Sequence, residues 1–336
     1  MYPLEKNMKP GSQKLFRTLI LVVFTGLLAI SPAQESNGLK KVVLALHWQP
    51  QAQFAGYYMA LTKGIYKKYG LDVSIRHTGF KDNAIDLLRT GSAHFITNFL
   101  SGSLEEYEKG LNLRLIAQTS RKSALTIAGL KSRGIKQLSD LNNKKIAIWQ
   151  AGFRELPQAF LTKYGLNSQF VPVRSTVNLF LMGGVDAQVV MDYNELNSII
   201  FSGVKEEDLT LFRIAEYGLN VPEDGIYCSA SFLEKNKGLA EKFVKATMEG
   251  WIEAFNNKEE TVEFCVDLKR KNGLQANRAH QMRMLKTMEA VIQPRNNTLN
   301  TYLDPGMFNL AIQVLKDAGR IEGNIKYYNF YVQVVK

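Results

Sequence analysis

The chain has 336 residues, 46% of them hydrophobic and 22% charged, with a formal net charge of +11 and two cysteines. That is enough apolar material for a large core divided between two lobes, and too little cysteine for a disulfide-stapled scaffold. The longest basic run is Lys269-Arg270-Lys271, a solvated helix end rather than the clustered footprint of a nucleic-acid binder, so no nucleic-acid partner is expected.

In chain order, residues 1–33 read as a signal peptide. Lys6, Lys9, Lys14 and Arg17 form a basic start, Leu19 to Ile30 is an apolar core, and Ser31-Pro32-Ala33 offers small residues for cleavage near Ala33. The apolar run is short for a membrane span, and nothing later in the sequence is long enough to be one. Loss of this segment lowers the formal charge from +11 to +8.

Residues 39–77 read as a β-loop-α-β unit. Val42 to Leu46 is a short β-rich run that stops at His47-Trp48-Gln49-Pro50, because proline supplies no ladder donor. Phe54, Tyr57, Tyr58, Leu61 and Ile65 recur at helical spacing, which predicts an amphipathic helix closed by Gly70. Leu71, Val73 and Ile75 alternate as the next strand. The pattern continues with a helix at 83–88, a strand at 93–97, a helix at 104–109 and a strand at 113–118, one open and mainly parallel sheet. A second alternating set follows: strands at 125–129, 144–149, 170–173 and 187–191, with helices at 157–164, 177–182 and 194–201 between and after them. From 211 the strands at 212–214 and 226–228 precede helices at 239–256, 259–271, 276–292 and 305–318. The expected fold is therefore α/β, two-lobed, with a hinge between two doubly wound sheets. Residues 39–122 and 226–320 would form lobe 1, residues 123–225 lobe 2, and residues 321–336 a tail that is either an edge strand or a docking segment.

Strand ends in such sheets face one crevice, and four loops there supply candidate contacts for a small planar, polar ligand. Trp48, Gln53, Phe54 and Tyr57 come from the first, Asn98 from the second, Trp149 and Gly152 from the third, and Tyr193, Asn194 and Glu195 from the fourth. Glu195 suits an exocyclic amine on a heteroaromatic ring; it equally suits the start of its own helix, and both roles are open to it. His47 reads as a satisfied strand-end histidine and Asp224, in Pro222-Glu223-Asp224-Gly225, as a turn former. Cys265 shares a helical face with Val262 and Val266, which predicts a buried, unpaired thiol. The four histidines have no metal-like spacing, and the sequence lacks HExxH, GxSxG, Walker A and CxxC signatures. No metal, cofactor or catalytic residue is expected.

The run Trp48-Gln49-Pro50, Ala55-Gly56-Tyr57-Tyr58, Lys63-Gly64-Ile65-Tyr66 and Gly70-Leu71-Asp72-Val73 resembles the solute-binding proteins of the thiamine-pyrimidine type, and the likeness extends from about Lys40 to about Ile292. Val185-Asp186-Ala187 leading into Tyr193-Asn194-Glu195 resembles the segment in which their glutamate meets an aminopyrimidine. The resemblance implies the two-lobed periplasmic-binding-protein type II fold and an exported periplasmic protein, not an enzyme, that delivers a thiamine-precursor aminopyrimidine to the permease and ATPase of an ABC importer and meets the membrane only through the permease. The same fold occurs in fungal pyrimidine synthases, which use a lysine that holds pyridoxal phosphate, a histidine four residues on, and a cysteine-rich iron motif. Those positions fall here on Asn98, on Gly102 and on a stretch, 220–228, with one cysteine, Cys228. A ligand-sensing module for a signalling partner would share the fold and the site.

Overall fold

A computed structural model describes residues 38–150 and 152–335; the segment read as a signal peptide lies outside the described residues. Two five-stranded sheets organise the described chain. The first has the order β2-β1-β3-β10-β4, with β1 at Lys40–Leu46, β2 at Leu71–His77, β3 at Phe95–Phe99, β4 at Leu113–Gln118 and β10 at Asp224–Ser229. The second has the order β7-β6-β8-β5-β9, with β5 at Leu125–Leu130, β6 at Lys145–Trp149, β7 at Gln169–Val173, β8 at Ala187–Met191 and β9 at Leu209–Arg213. This is the two-lobed α/β architecture that the alternating pattern implies. Helices flank the sheets, so β5 and β8 are buried at every position and read as continuous apolar runs.

The sheets are mixed rather than mainly parallel, and the chain path explains it. One strand in each runs against the rest: β10 is antiparallel to β3 and β4, and β5 is antiparallel to β8 and β9. These are the two strands entered directly from the other sheet. Leaving the end of β4 through residues 119–124, the chain begins β5 at the crevice and runs away from it. It returns through residues 214–223 and begins β10 in the same way. The two crossings are tied together. Asp224 O accepts from Thr119 N and Ser120 N at 2.9 and 3.1 Å, and the Glu223 carboxylate accepts from Ser123 Oγ at 2.5 Å and Ala124 N at 3.1 Å.

The helix over the first sheet departs from the amphipathic expectation. Ala55–Thr62 is buried on all sides through Ala60, because the long helix Lys237–Asn256 lies directly on it. Contact is made through Gly56 and Gly250: a Cβ on Gly250 would stand 2.3 Å from the Gly56 carbonyl oxygen, and a Cβ on Gly56 would stand 2.2 Å from the Trp251 ring. The turn at Lys63-Gly64, with Gly64 at φ 69°, separates this helix from the short helix Ile65–Lys68. Cys228 and Cys265 are both buried and unpaired. The tail docks on an edge: after a helical turn at Tyr327–Phe330, Tyr331 bridges Leu115 and Val332 N donates to Leu115 O at 2.9 Å, covering part of the open side of β4.

Candidate functional site

Between the sheets lies a cleft of about 650 Å³, whose walls are the loops that leave the strands. From the first sheet, the loop after β1 brings Trp48, Gln51 and Gln53, the loop after β2 brings Gly79 and Phe80, and the end of β3 brings Asn98 and Phe99. From the second, the loop after β6 brings Trp149, Gln150 and Phe153, that after β7 brings Arg174 and Ser175, and that after β8 brings Tyr193, Asn194 and Glu195. These wall residues lie at or just beyond the C-terminal ends of parallel strands, the place where open α/β sheets collect ligands.

Aromatic rings give the cleft its flat surfaces. Trp48 meets Phe80 edge-to-face at 5.0 Å, and Phe153 meets Trp149 at 5.6 Å and Phe99, across the cleft, at 4.4 Å. Phe153 stands at φ 60°, a left-handed conformation uncommon for a bulky residue, immediately after Gly152 at φ 78°. That backbone turns the Phe153 ring toward the first sheet.

Amides make the floor, with buried acids beneath them. Gln51 Nε2 donates to Gln53 Oε1 at 2.6 Å, and Gln53 Nε2 donates to Tyr193 Oη and to Asp224 Oδ2, both at 3.1 Å. The Gln53–Tyr193 bond joins a loop of the first sheet to a loop of the second. His47 Nδ1 lies 2.7 Å from Thr97 Oγ1, and its Nε2 is 3.7 Å from Asp224 Oδ1. Burial pushes the His47 imidazole down to about 3 and the Asp224 carboxyl up to about 7, so the imidazole is neutral at neutral pH and the contact is not an ion pair between full charges. Glu223 is driven up to about 8, chiefly by burial, against the hydrogen bonds from Ser123 and Ala124. Burial also raises Glu195, with the Met191 backbone N–H, the Asn194 amide and the Trp149 indole acting in the opposite direction. The Glu195 carboxylate accepts from Met191 N at 3.1 Å and from Asn194 Nδ2 at 2.9 Å, so it stabilises its own turn while facing the cleft.

Of the residues singled out from the sequence, Trp48, Gln53, Asn98, Trp149, Tyr193, Asn194 and Glu195 line this cleft together. Phe54 and Tyr57 do not. The turn at Ala52–Phe54 points Phe54 inward against His47, at 5.1 Å, and the helix carries Tyr57 onto Trp251, at 5.9 Å; both are core residues. Gly152 is not on the wall either; it sets the backbone that presents Phe153. Asp224 is the first residue of β10, opposite Phe99, rather than a turn former. Sequence reasoning passed over Phe80, Phe99, Arg174 and Ser175. The rule that strand ends face the crevice would have found Phe80, Arg174 and Ser175, since all three follow strands legible in the sequence. Phe99 ends its strand and abuts the helix Leu100–Glu108, so its face depends on packing alone. Phe153 lies in a loop, 149–155, that the sequence places at the crevice, but nothing local singles it out, because its role rests on a backbone angle.

Among the described residues no lysine lines the cleft, and Asn98 spends its amide on Ser103 Oγ at 2.9 Å. The cleft therefore does not fit pyridoxal phosphate held as a lysine adduct. No group of three or more His, Cys, Asp or Glu side chains among the described residues is placed to hold a metal ion.

Residues 51–261 match the model of the family described as NMT1/THI5 like. A 4-amino-5-hydroxymethyl-2-methylpyrimidine phosphate synthase of Saccharomyces cerevisiae is 26% identical over 220 residues, 61% of this chain and 64% of that protein. The chain thus spans less than two thirds of that relative's length. The riboflavin-binding protein RibY of Chloroflexus aurantiacus is 23% identical over 238 residues, 68% of this chain and 66% of that protein. Among solved structures, the periplasmic aliphatic sulphonate binding protein SsuA of Escherichia coli superposes with a TM-score of 0.69 at 15% identity, covering 88% of this chain and 92% of that one. That likeness is one of fold.

Proposed function

The chain belongs to the NMT1/THI5-like family, and from that premise we propose that it is an exported, periplasmic solute-binding protein that closes on a flat nitrogen heterocycle and hands it to the permease and ATPase of an ABC importer. The observation that carries this reading is the shared cleft: Trp48 from one lobe and Trp149, Tyr193 and Glu195 from the other line one space of about 650 Å³. An indole and a phenylalanine on each side suit the two faces of a planar ring, each stack contributing about 0.5–1.5 kcal/mol beyond burial. Glu195 and the amide oxygens of Asn98 and Asn194, which the bonds above leave free, suit its exocyclic amine. Both named relatives concern flat nitrogen heterocycles, a pyrimidine and a flavin, and a thiamine-precursor aminopyrimidine is the leading guest.

The mechanism is differential affinity. Residues 39–122 with 226–320 act as one jaw and 123–225 as the other, and a guest that touches both jaws only when they meet shifts the hinge toward closure. No step calls for bond making, and the cleft's lack of a lysine among the described residues favours binding over a synthase role.

A thermal-shift screen of aminopyrimidines, flavins, alkanesulfonates and nitrate tests the proposal. An aminopyrimidine should raise the melting temperature, and Trp48→Ala and Glu195→Gln should each reduce that rise. Stabilisation by sulfonates alone, or a rise indifferent to both substitutions, would refute this assignment.

A further inference from the structure

The cleft has a second pole. Arg174, directly after β7, is the only cationic residue on the described cleft wall; it is exposed, and no acidic side chain stands within ion-pairing distance of it among the described residues. Ser175 beside it adds a hydroxyl on the same wall. Elsewhere the arginines near this lobe's strands are engaged: Arg154 lies over the Phe170 ring at 5.3 Å, Arg213 pairs with Asp192 at 3.2 Å, and Arg133 donates to Leu181 O at 2.9 Å. Among the described residues Arg174 alone offers its charge to the cleft.

Sheet order fixes how far apart the segments bearing this charge and the carboxylate leave the sheet. β6 sits between β7 and β8, with Trp149 opposite Val173 and Ala147 opposite both Val171 and Gln188. Arg174 and the loop that bears Glu195 therefore leave the sheet at the same level, two strand spacings apart, about 10 Å. Trp149 and Gln150 occupy the tip of β6 between them. A single substituted ring is shorter than that span, and a cleft of about 650 Å³ is in the range that encloses drug-sized molecules.

We propose that the guest is two-poled: a flat nitrogen heterocycle held at the Glu195 end and an oxyanion, as a phosphate ester or a carboxylate, held by Arg174 and Ser175 at the other. The inference rests on the solute-binding reading above and adds the class of solute. Arginine meets an oxyanion through paired N–H donors, and an exposed one does so with a strong dependence on salt.

The test measures dissociation constants by calorimetry for matched probes: 4-amino-5-hydroxymethyl-2-methylpyrimidine against its phosphate ester and against the 5-carboxylate analogue, and riboflavin against flavin mononucleotide. At least one anionic probe should bind about tenfold or more tightly than its neutral partner, the effect of one charge-assisted contact. Arg174→Gln should collapse that ratio toward one, whereas Arg154→Gln, off the cleft wall, should keep it. The ratio should also shrink between 50 mM and 500 mM salt. The phosphate and carboxylate arms distinguish which oxyanion is preferred. Equal affinity for neutral and anionic probes, or a ratio that survives Arg174→Gln, overturns the oxyanion pole and leaves the solute-binding reading standing. Failure of every probe to bind overturns both.

Discussion

At the scale of single residues, burial pushes the acids beneath the cleft, beside the crossings, toward their neutral forms. Glu223 and Asp224 hold their protons more tightly in the folded chain than in an unfolded one, with values of about 8 and about 7. His47, lowered to about 3, is already neutral in both states above its ordinary range. From above the ordinary carboxylate range up to about pH 8 the folded state thus carries more of these protons than the unfolded state, and stability falls as pH rises through that window. The melting temperature should be lower at pH 8.5 than at pH 6.5, and Glu223→Gln should flatten the slope. An unchanged slope in that variant would mean Glu223 is ionised in the folded protein. This chemistry was hidden in the sequence. Pro222-Glu223-Asp224-Gly225 has the composition of a surface turn, and only the crossing of the chain beside Ser123 and Ala124 buries it. Trp48, Tyr193 and Glu195 were legible because each directly follows an apolar run that reads as a strand. Phe54 and Tyr57 carried the same aromatic signal and went to the core, since periodicity does not tell a ligand wall from a packing face when a later helix covers both.

Among the elements, the pairing of Ala55–Thr62 with Lys237–Asn256 governs the first lobe. With backbone at 2.3 Å, an alanine at Gly250 has no room that a side-chain shift would open. Overpacking of this kind costs about 1–3 kcal/mol, more than the gain of up to about 1 kcal/mol that alanine brings to a helix. Gly250→Ala should lower the urea midpoint with an unchanged slope, a net loss of about 2 kcal/mol. Gly238→Ala, in the same helix with open space around it, should instead be neutral or stabilising. Equal effects of the two substitutions would argue against the close approach. The helices themselves were readable from apolar spacing to within a few residues at each end. Their partners were not: nothing in local spacing says that position 56 meets position 250. Strand direction had the same limit. Residues 125–129 and 226–228 read as strands, but their reversal follows from where the chain enters each sheet, a property of the whole path.

On the scale of the whole molecule, the two crossings and the cleft form one device. The Gln53–Tyr193 bond spans the jaws at the same floor on which the crossing strands are tied. A guest that fills the cleft adds contacts to both jaws at that point. Solution scattering should show a smaller radius of gyration with saturating ligand, and Tyr193→Phe, which removes the spanning hydroxyl, should weaken ligand binding several-fold. An unchanged radius at saturation would exclude jaw closure as the response to ligand.

The seam between Gly56 and Gly250 carries one more implication. Until synthesis has passed Trp251, the face of Gly56 and Tyr57 has nothing to rest on, and β10, the central partner of β3 and β4, reaches the sheet only with residues 224–229. The nascent chain therefore has no finished first lobe to lock into while most of its length is being made, and contacts of such long sequence separation form slowly. The first sheet of a polypeptide built this way closes only after residues 224–229 are made, whereas the second, complete by Arg213, can close before them.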